Sequence, residues 1–559
     1  MRPPSRTGSA DWIDSSGSSL LGGPLAPQGT RWIDANEVRA HSSSVPLGCA
    51  TALRRAVEEF ALSGALVVDG QPLAYVVKAE ALKTEPHQIA DLHRRFWSQG
   101  VAPILLLLSA TELHVLSGLE GPRAVREEDH FVLTLNRATQ ALEARGHIRS
   151  MISGDFFRSF AGRFRPDERV DQRLLRSLKE ARGRLLELRD PSQVTRDALS
   201  ADADRVEVVD RLLCRIALGC YLFDRRVLSS AYLAAAGLTA AERLPTLFRS
   251  MEPEQAVNQL YTLFGRLKTD FNGDLFDGDL AAERRHLTAA HCEVLANWLS
   301  GTEASGQLSF WDYDFRVIPI ETISAIYERF LPEEHRDLDG AIYTPRVLAE
   351  LVLDEALAGR GEPELLSGRY LDPSCGSGIF LVGLFQRMAE AWRRKNPCAD
   401  YLTRYRALRD LLIDNLRGVD KNPTACRIAS FSLYLALLNQ LDPSDLLKLK
   451  DSGEKLPPLI NPAARSRTAG SAVSPAPGPA RTLWACPFEE VPPARLMAQG
   501  FDLVVGNPPW VSRKGGQADR KRKAKAAAPR GSATRAAVLP SAAGQRAHQF
   551  LFQAPSFLA

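Results

Sequence analysis

The stretch RYLDPSCGSGIFLVGLF, Arg369 to Phe385, decides the fold of the second half of this chain. Its first residues are largely apolar and lead to Asp372, which predicts a short strand ending at an acidic residue. Small residues follow, and Gly376 and Gly378 allow a tight turn and a close approach of a ligand to the backbone. Apolar residues then recur at helical spacing, so a helix is predicted to begin near Ser377. Together these features predict one strand–loop–helix unit of an α/β sheet.

The loop of this unit is either a ligand site or an ordinary structural turn. The amino end of the following helix offers backbone N–H groups to a carboxylate or phosphate. Asp372 can accept a hydrogen bond from a ligand ammonium group. A glycine pair alone would not separate the two interpretations, but its place between a strand and a helix favours a ligand site.

A second unit follows in LRGVDKNPTACRIASFSLYLALL, Leu416 to Leu438. The pattern predicts a strand that ends at Asp420 and then a long helix. An acidic residue at the end of such a strand commonly binds ribose hydroxyls in nucleotide-binding folds. Asp420 can also be the N-cap of the helix, and the two roles are compatible.

The third stretch is FDLVVGNPPWVSRKGG, Phe501 to Gly516, in which a strand at 502–505 is followed by a turn at Gly506. Asn507 then offers a side-chain carbonyl, and Pro508 offers a backbone carbonyl held in extended geometry by the proline after it. Two adjacent acceptors suit an NH₂ group with two hydrogens. Trp510 offers a flat face for stacking a planar group.

Composition and periodicity divide the chain into five segments. The N-terminus is rich in Ser, Gly and Pro, several apolar runs near residues 62–117 predict strands, and residues after about 156 have helical spacing. We expect a disordered N-terminus at 1–48, a small α/β unit at 49–150, a helical domain at 151–310, a second α/β domain at 311–511 with a linker-like loop at 452–480, and a basic tail with a terminal helix at 512–559.

The overall composition is that of a soluble multidomain protein. The chain has 559 residues, of which 45% are hydrophobic and 24% charged, and it can bury several cores. No run of about eighteen apolar residues occurs, so no membrane span is expected. The N-terminus lacks a hydrophobic signal core, so we expect a cytoplasmic location. The eight cysteines form no CxxC pair and predict reduced thiols and no metal site.

Charge is concentrated near the carboxyl end. The net charge is only +4, but Ser512 to Arg535 is dense in Lys and Arg and contains one acidic residue. Such a run suits the phosphate backbone of a nucleic acid. A solvated loop is the alternative interpretation.

The order of the motifs resembles that of N6-adenine DNA methyltransferases, which use S-adenosylmethionine (SAM). The motifs are DPSCGSG at 372–378, VDKNP at 419–423 and NPPW at 507–510. The stretch IYERFLPEEHRDLDGAIYTP, at 326–345, is similar to the segment before the cofactor loop in that family. With a helical region in front, the set resembles the methylase part of type IIG restriction–modification enzymes and related phage-defence methylases. The resemblance covers roughly residues 150–510.

The resemblance implies a Rossmann-like SAM-dependent methyltransferase sheet, SAM as cofactor and double-stranded DNA as partner. It implies SAM-binding roles for Tyr343, Thr344, Pro345, Asp372, Pro373, Ser374, Gly376, Gly378 and Asp420, with the Tyr-Thr-Pro element near the methionine end. It implies catalytic roles for Asn507, Pro508, Pro509 and Trp510.

The implied reaction is a direct methyl transfer to adenine N6. The base must leave the duplex, because N6 cannot be reached within the stack. Trp510 would stack on the base, while Asn507 and the Pro508 carbonyl would accept the two N6 hydrogens. Positioning and local dipoles would supply the catalysis.

The sequence departs from the family pattern at two places. Cys486 stands where an Asp after the third strand usually contacts the SAM adenine. Type IIG enzymes often begin with a nuclease unit holding an acidic residue and then Glu-x-Lys; here Asp69 and Lys78 are present, but Val76 replaces the Glu. A metal-dependent nuclease needs those carboxylates. We expect a degenerate or unrelated unit without a metal site.

The chain ends at Ala559, before the strands and the recognition domain that the family places after NPPW. From the sequence we expect a sheet incomplete at its carboxyl-terminal side, and a truncated enzyme or one half of a split enzyme. Three functions are therefore weighed: an adenine methyltransferase, a non-catalytic SAM- or DNA-binding subunit that needs a specificity or completing subunit, and a protein glutamine methyltransferase. The Tyr-Thr-Pro element and the helical region argue against the third.

Overall fold

The computed structural model shows a mixed α/β protein. It describes residues 29–79, 86–121, 127–188, 198–271, 279–300, 313–320, 322–323, 344–442, 445, 448–449, 452–461, 481–486, 488, 491 and 500–508. The predicted basic tail and terminal helix lie outside these ranges, as do Tyr343, Pro509 and Trp510. Within the described helices, none combines the length and the apolar character needed to cross a membrane.

The amino-terminal sheet has six strands in sequential order. They are β1 (Thr30–Asp34), β2 (Leu62–Val68), β3 (Gln71–Lys78), β4 (Ile104–Leu108), β5 (Glu112–Ser117) and β6 (Phe131–Asn136). Neighbours are antiparallel except β3 and β4, which are parallel. Asp69 and Gly70, with φ of 47° and 77°, form the two-residue turn between β2 and β3. Positive φ at both positions suits the strand twist of such a hairpin.

Helices cover this sheet and connect its strands. They are α1 (Ala35–Arg39), α2 (Leu47–Phe60), α3 (Pro86–Gln99), α4 (Ala141–Ser153) and α5 (Asp155–Ser159). The parallel β3–β4 pair needs a crossover connection, and α3 supplies it. One apolar cluster joins the strands to Ile148 and Met151 of α4 and to Phe156 of α5.

The predicted strands between 62 and 117 are confirmed by β2 to β5. The expectation of disorder at 1–48 is wrong for residues 29–48, because β1 pairs with β2, Ile33 and Val45 are buried, and α2 begins at Leu47. A five-residue strand beside a Ser- and Gly-rich segment carries too few residues to show a period. The expected boundary at 150/151 falls inside α4, whose apolar face continues the core of the sheet.

The described residues from Gly162 to Ser300 contain helices and no strand. The helices are α6 (Val170–Glu187), α7 (Ala198–Asp224), α8 (Ser230–Ala235), α9 (Leu244–Arg249), α10 (Pro253–Phe271), α11 (Leu280–Arg285) and α12 (Ala289–Ser300). Arg215 of α7 is fully buried and pairs with Glu283 of α11. The apolar residues of these helices belong to one large cluster that extends into the second sheet.

The second sheet has four strands, and every pair in it is parallel. The strands are β7 (Tyr370–Asp372), β8 (Leu416–Asp420), β9 (Leu483–Ala485) and β10 (Leu503–Val504), in the spatial order β10-β7-β8-β9. Its helices are α13 (Arg346–Leu357), α14 (Glu362–Ser367), α15 (Ile379–Lys395), α16 (Tyr401–Asn415) and α17 (Pro423–Leu438). The predicted strands ending at Asp372 and Asp420 are confirmed.

Three arginines from distant segments meet just beyond the carboxyl end of α17. Arg393 of α15 donates to the carbonyl of Gln440, and Arg225, which follows α7, donates to the carbonyl of Leu441 at 3.3 Å. Arg54 of α2 donates to Oε1 of Gln440 at 2.9 Å. Cations are favourable at the negative end of a helix dipole. The contact therefore joins the amino-terminal unit, the helical region and the second sheet.

A buried ion pair holds α13 against α15. Arg387 of α15 lies 2.6 Å from the carboxylates of Glu350 and Asp354 on α13, and its side chain is only 3% exposed. Burial alone would lower the pKa of Arg387, but the two carboxylates raise it above its ordinary value. The guanidinium also faces Gly48 of α2, where an added Cβ would lie 2.8 Å from Nη2.

We predict that Arg387→Met lowers the free energy of unfolding by about 3–5 kcal/mol, because it leaves the buried Glu350 carboxylate without its cation. Urea denaturation followed by circular dichroism measures the change. Arg158→Met is the matched control, since Arg158 is 77% exposed and pairs at the surface. Equal losses of stability in the two variants would contradict the role of Arg387 as the cation that compensates the buried Glu350 carboxylate.

Candidate functional site

The loop after β7 begins at a buried carboxylate. Asp372 is 1% exposed, and its Oδ1 accepts from the backbone N–H of Ser374 at 3.1 Å. Gly376 and Gly378 have φ of 51° and 84°, in the left-handed region that favours glycine. The tight turn predicted from the two glycines is therefore present, and it leads directly into α15.

Gly378 also brings two helices close together. A Cβ at this position would lie 3.1 Å from Cβ of Ala429, which belongs to α17. The backbone N–H of Cys375 donates to the carbonyl of Val419 in β8 at 2.9 Å. The pKa of Cys375 is raised well above its ordinary value, first by a hydrogen bond to Cys426 and second by burial. Cys375 is therefore a buried thiol that packs the loop.

Asp420 links the second strand to the glycine loop. Its Oδ2 accepts from the backbone N–H of Gly376 at 3.0 Å, and its Oδ1 accepts from that of Asn422 at 2.8 Å. The side chain of Asn422 lies at the start of α17 and accepts from the N–H of Ala425 at 3.4 Å. The local capping role considered for Asp420 thus falls to Asn422, while Asp420 holds the two loops in one arrangement.

The segment after β10 comes closest to the segment after β7 at Gly506. An added Cβ on Gly506 would lie 2.5 Å from Oδ1 of Asp372 and 3.4 Å from Cδ of Pro373. The start of β10 is also clamped, because Oδ2 of Asp502 accepts from the backbone N–H of Arg369 at 2.8 Å and from its Nε at 3.1 Å. The Arg369 hydrogen bond lowers the pKa of Asp502. A residue without a side chain is needed where the two loops touch.

Asn507 follows this contact and meets the segment before α13. Its Nδ2 donates to Oγ1 of Thr344 at 3.2 Å. Thr344 is buried, and Pro345 directly precedes the first residue of α13. The amide thus donates to Thr344 through its NH₂ end, and its other end, Oδ1, is a hydrogen-bond acceptor by type. Residues 163 positions apart in the chain therefore form one polar contact.

The structure brings most of the candidate residues to one edge of the second sheet. Asp372, Pro373, Ser374, Gly376, Gly378 and Asp420 surround the carboxyl ends of β7 and β8, and Asn507 follows β10 with Pro508 after it. Thr344 joins them through Asn507. Tyr343, Pro509 and Trp510 lie outside the described residues.

Three features of the site carry little sequence signal. The Thr344–Asn507 and Arg369–Asp502 hydrogen bonds join residues far apart in the chain, so no local sequence pattern predicts them. Gly506 was predicted to form a turn, and its close approach to Asp372 is decided by the pairing of β10 with β7. The clue in the sequence was only that a glycine stands between a strand and a polar motif.

The remaining candidates occupy separate places. Cys486 directly follows β9, at the same edge of the sheet as Asp420. In the first sheet Asp69 lies in the β2–β3 turn, whereas Lys78 ends β3, about 23 Å beyond the first residue of that strand, Gln71, at 3.3 Å per residue. They cannot share a metal ion. No cluster of three or more potential ligands occurs in the described part of the chain.

Comparison with known proteins gives matches to methylases. Residues 414–536 match the family model of the Eco57I restriction-modification methylase. The adenine-specific methyltransferase PglX of Streptomyces coelicolor is 35% identical over 121 residues, which are 20% of this chain and 9% of that protein. The type II restriction enzyme and methyltransferase RM.Eco57I of Escherichia coli is 22% identical over 230 residues, or 36% and 22% of the two chains.

The solved DrdV–DNA complex aligns with a TM-score of 0.29 and 13% identity over 88% of this chain and 45% of that one. The chain spans less than a quarter of the length of the two curated relatives. The sequence matches nevertheless confirm the resemblance to type IIG restriction–modification and phage-defence methylases that the motif order predicted.

Proposed function

We propose that the chain carries the catalytic unit of a SAM-dependent DNA methyltransferase that methylates adenine N6 in a restriction–modification or phage-defence system. The observation that carries this proposal is the convergence of Asp372, Asp420 and Asn507 at one edge of the parallel sheet, with Asp372 and Gly506 in contact. Double-stranded DNA is the proposed partner, and the cytoplasm the proposed location. Target recognition is assigned to a further domain or a separate subunit.

The strand order supports a Rossmann-like arrangement. Along the sheet the strands lie in the order β9, β8, β7 and β10: the chain adds β8 and β9 on one side of β7 and then β10 on the other, so the strand order reverses between β7 and β10. Ligands of open α/β sheets bind outside the carboxyl ends of the strands at such a switch point. Asp372 and Gly506 flank this point, which is why we assign the cofactor and the substrate to the space above them.

The residues at this edge fit a cofactor of SAM chemistry. The Asp372 carboxylate suits an ammonium group, and the glycine loop leaves room for a ligand beside the backbone. Asp420 already accepts two backbone N–H groups, but a carboxylate has about four lone-pair sites and can also accept ribose hydroxyls. When bound, SAM supplies an electrophilic methyl group. Cys486 would lie beside the adenine of the cofactor without offering a carboxylate.

The proposed chemical step depends on two fixed acceptors. Asn507 Oδ1 and the Pro508 carbonyl would accept the two N6 hydrogens of an adenine flipped out of the duplex. Both acceptors would draw the nitrogen lone pair out of conjugation with the ring and aim it at the methyl group. The nitrogen–methyl bond would form as the sulfur–methyl bond of the donor breaks, and one N6 proton would pass to solvent. Thr344 acts as a positioning residue, because its hydroxyl holds the Asn507 amide. Preorganised dipoles of this kind lower the barrier without reorganisation during the reaction.

We predict that Asp372→Ala and Asp420→Ala weaken SAM binding about ten- to hundredfold, because each removes a charged hydrogen-bonding partner. Calorimetric titration of SAM into the purified chain measures this. Asp414→Ala is the matched control, since Asp414 is exposed and precedes the opposite end of β8. A folded chain that binds no SAM, or equal weakening by the control, would argue against the proposed site.

We predict that Asn507→Ala lowers methyl transfer to DNA about a hundredfold or more while SAM binding is retained, because the acceptor acts in the transition state. Transfer of labelled methyl groups to unmethylated DNA is the assay. Asn258→Ala, on the exposed side of α10, is the control. SAM binding without transfer by the unaltered chain would favour the alternative of a non-catalytic subunit, and transfer to a glutamine peptide would favour the protein methyltransferase.

We predict that Thr344→Val lowers kcat about five- to tenfold, because it removes the hydrogen bond that orients the Asn507 amide but keeps the shape of the side chain. Thr344→Ser should restore most of the rate, since it retains the hydroxyl. Thr262→Val tests the same substitution on α10, far along the chain from the site. If Thr344→Ser is as slow as Thr344→Val, packing and not the hydroxyl explains the effect.

A further inference from the structure

A cavity lies between the amino-terminal sheet and the helices of the second sheet. Its volume is about 50 Å³, and its wall combines α2, Tyr75 of β3, residues 316–320 and parts of α13 and α15. A cavity of this size holds roughly three or more water molecules. Among the described residues, its lining includes Arg55, Arg316 and Arg346 and one carboxylate, that of Glu350.

Two polar side chains of α2 line this cavity. Each has one buried polar atom with no hydrogen-bonding partner among the described residues. Thr51 is 9% exposed, and its Oγ1 has no partner among the described residues. The Arg55 side chain is 11% exposed, and its Nη2 likewise lacks one within the described ranges. A buried polar atom without a partner is costly, so both atoms point to a ligand or to water.

Among the described residues of the cavity wall, positive charge exceeds negative charge. Glu350 is bound by Arg387 at 2.6 Å, and Arg316 is bound by Asp314 at 2.7 Å. Arg55 has a weak ion pair, in which Nη1 lies 3.9 Å from Glu58, a residue that is 45% exposed. Burial lowers the pKa of Arg55. This agrees with a guanidinium whose loss of water is not fully offset by nearby carboxylates. Within the described residues Arg55 is therefore incompletely compensated, and Arg346 adds a second positive charge to the cavity wall.

We propose that this cavity is a binding site for a small tetrahedral oxyanion of the phosphate class, held by Arg55, Thr51 and Arg346. Arginine donates in a planar fork that suits phosphate oxygens, and a threonine hydroxyl adds a further donor. The cavity volume suits the anion itself and not a whole nucleotide.

The location gives the anion a structural consequence. Arg346 is the first residue of α13 and follows Thr344 by two positions. Arg55 belongs to α2, which packs against α15. An anion shared by the two arginines therefore ties the amino-terminal unit to the helix that begins beside the proposed catalytic asparagine.

Thermal unfolding of the full chain in inorganic phosphate, against sodium chloride of equal ionic strength and pH, tests the site. We expect saturable stabilisation by phosphate, about tenfold weaker apparent affinity in Arg55→Met, and a smaller loss in Thr51→Val. Without phosphate, Arg55→Met should be no less stable than the unaltered chain, because it removes a poorly paired buried charge. Arg158→Met, with the same charge change at the surface, should respond to phosphate as the unaltered chain does.

The outcomes separate the alternatives. Stabilisation no greater than in chloride means that the cavity holds water, and this would overturn the proposal. A large loss of stability in Arg55→Met with an unchanged phosphate response would also overturn it, because Arg55 would then be structural. Adenosine monophosphate is the second probe. Equal protection by it would assign the site to a phosphomonoester with its remainder outside the cavity, and weaker protection would assign it to free phosphate.

Discussion

The capping of the carboxyl end of α17 by arginines from three distant segments is the contact on which the arrangement of the chain depends. Arg54, Arg225 and Arg393 bring the amino-terminal unit, the helical region and the second sheet to the backbone and side chain of residues 440–441. The interaction combines a helix dipole with charge-assisted hydrogen bonds in a place with little solvent. The other end of the same helix begins beside Asp420, so a rigid helix connects the junction with the candidate site.

The candidate site is built from loops, but each loop is held by a hydrogen bond to another loop or by close packing against it. Asp420 binds the glycine loop, Asp372 lies against Gly506, and Asn507 binds Thr344. The Arg387 ion pair fixes the helix that follows Thr344. A transfer reaction that depends on positioning needs such a network, because small displacements of the acceptors are costly in rate.

The sequence predicted the strands ending at Asp372 and Asp420 because each carries its own local signal of an apolar run, an acidic end and a helix with regular spacing. The sequence did not predict β1, and it placed a domain boundary inside α4. A short strand has too few residues to show a period, and the core residues of α4 are matched to strands far away in the chain. Asp69 lies in the β2–β3 turn and Lys78 at the far end of β3, so this hairpin keeps the two residues apart.

The sequence by itself determined the chemical inventory and its order: a glycine loop, two acidic strand ends and an Asn-Pro-Pro-Trp motif, each written in contiguous residues. Only the tertiary structure decided which of them meet. The pairing of β10 with β7 set Gly506 against Asp372, and the packing of α13 on α15 set Thr344 beside Asn507. The physical reason is that contacts between residues more than a hundred positions apart depend on sheet order and helix packing, which a local pattern does not encode.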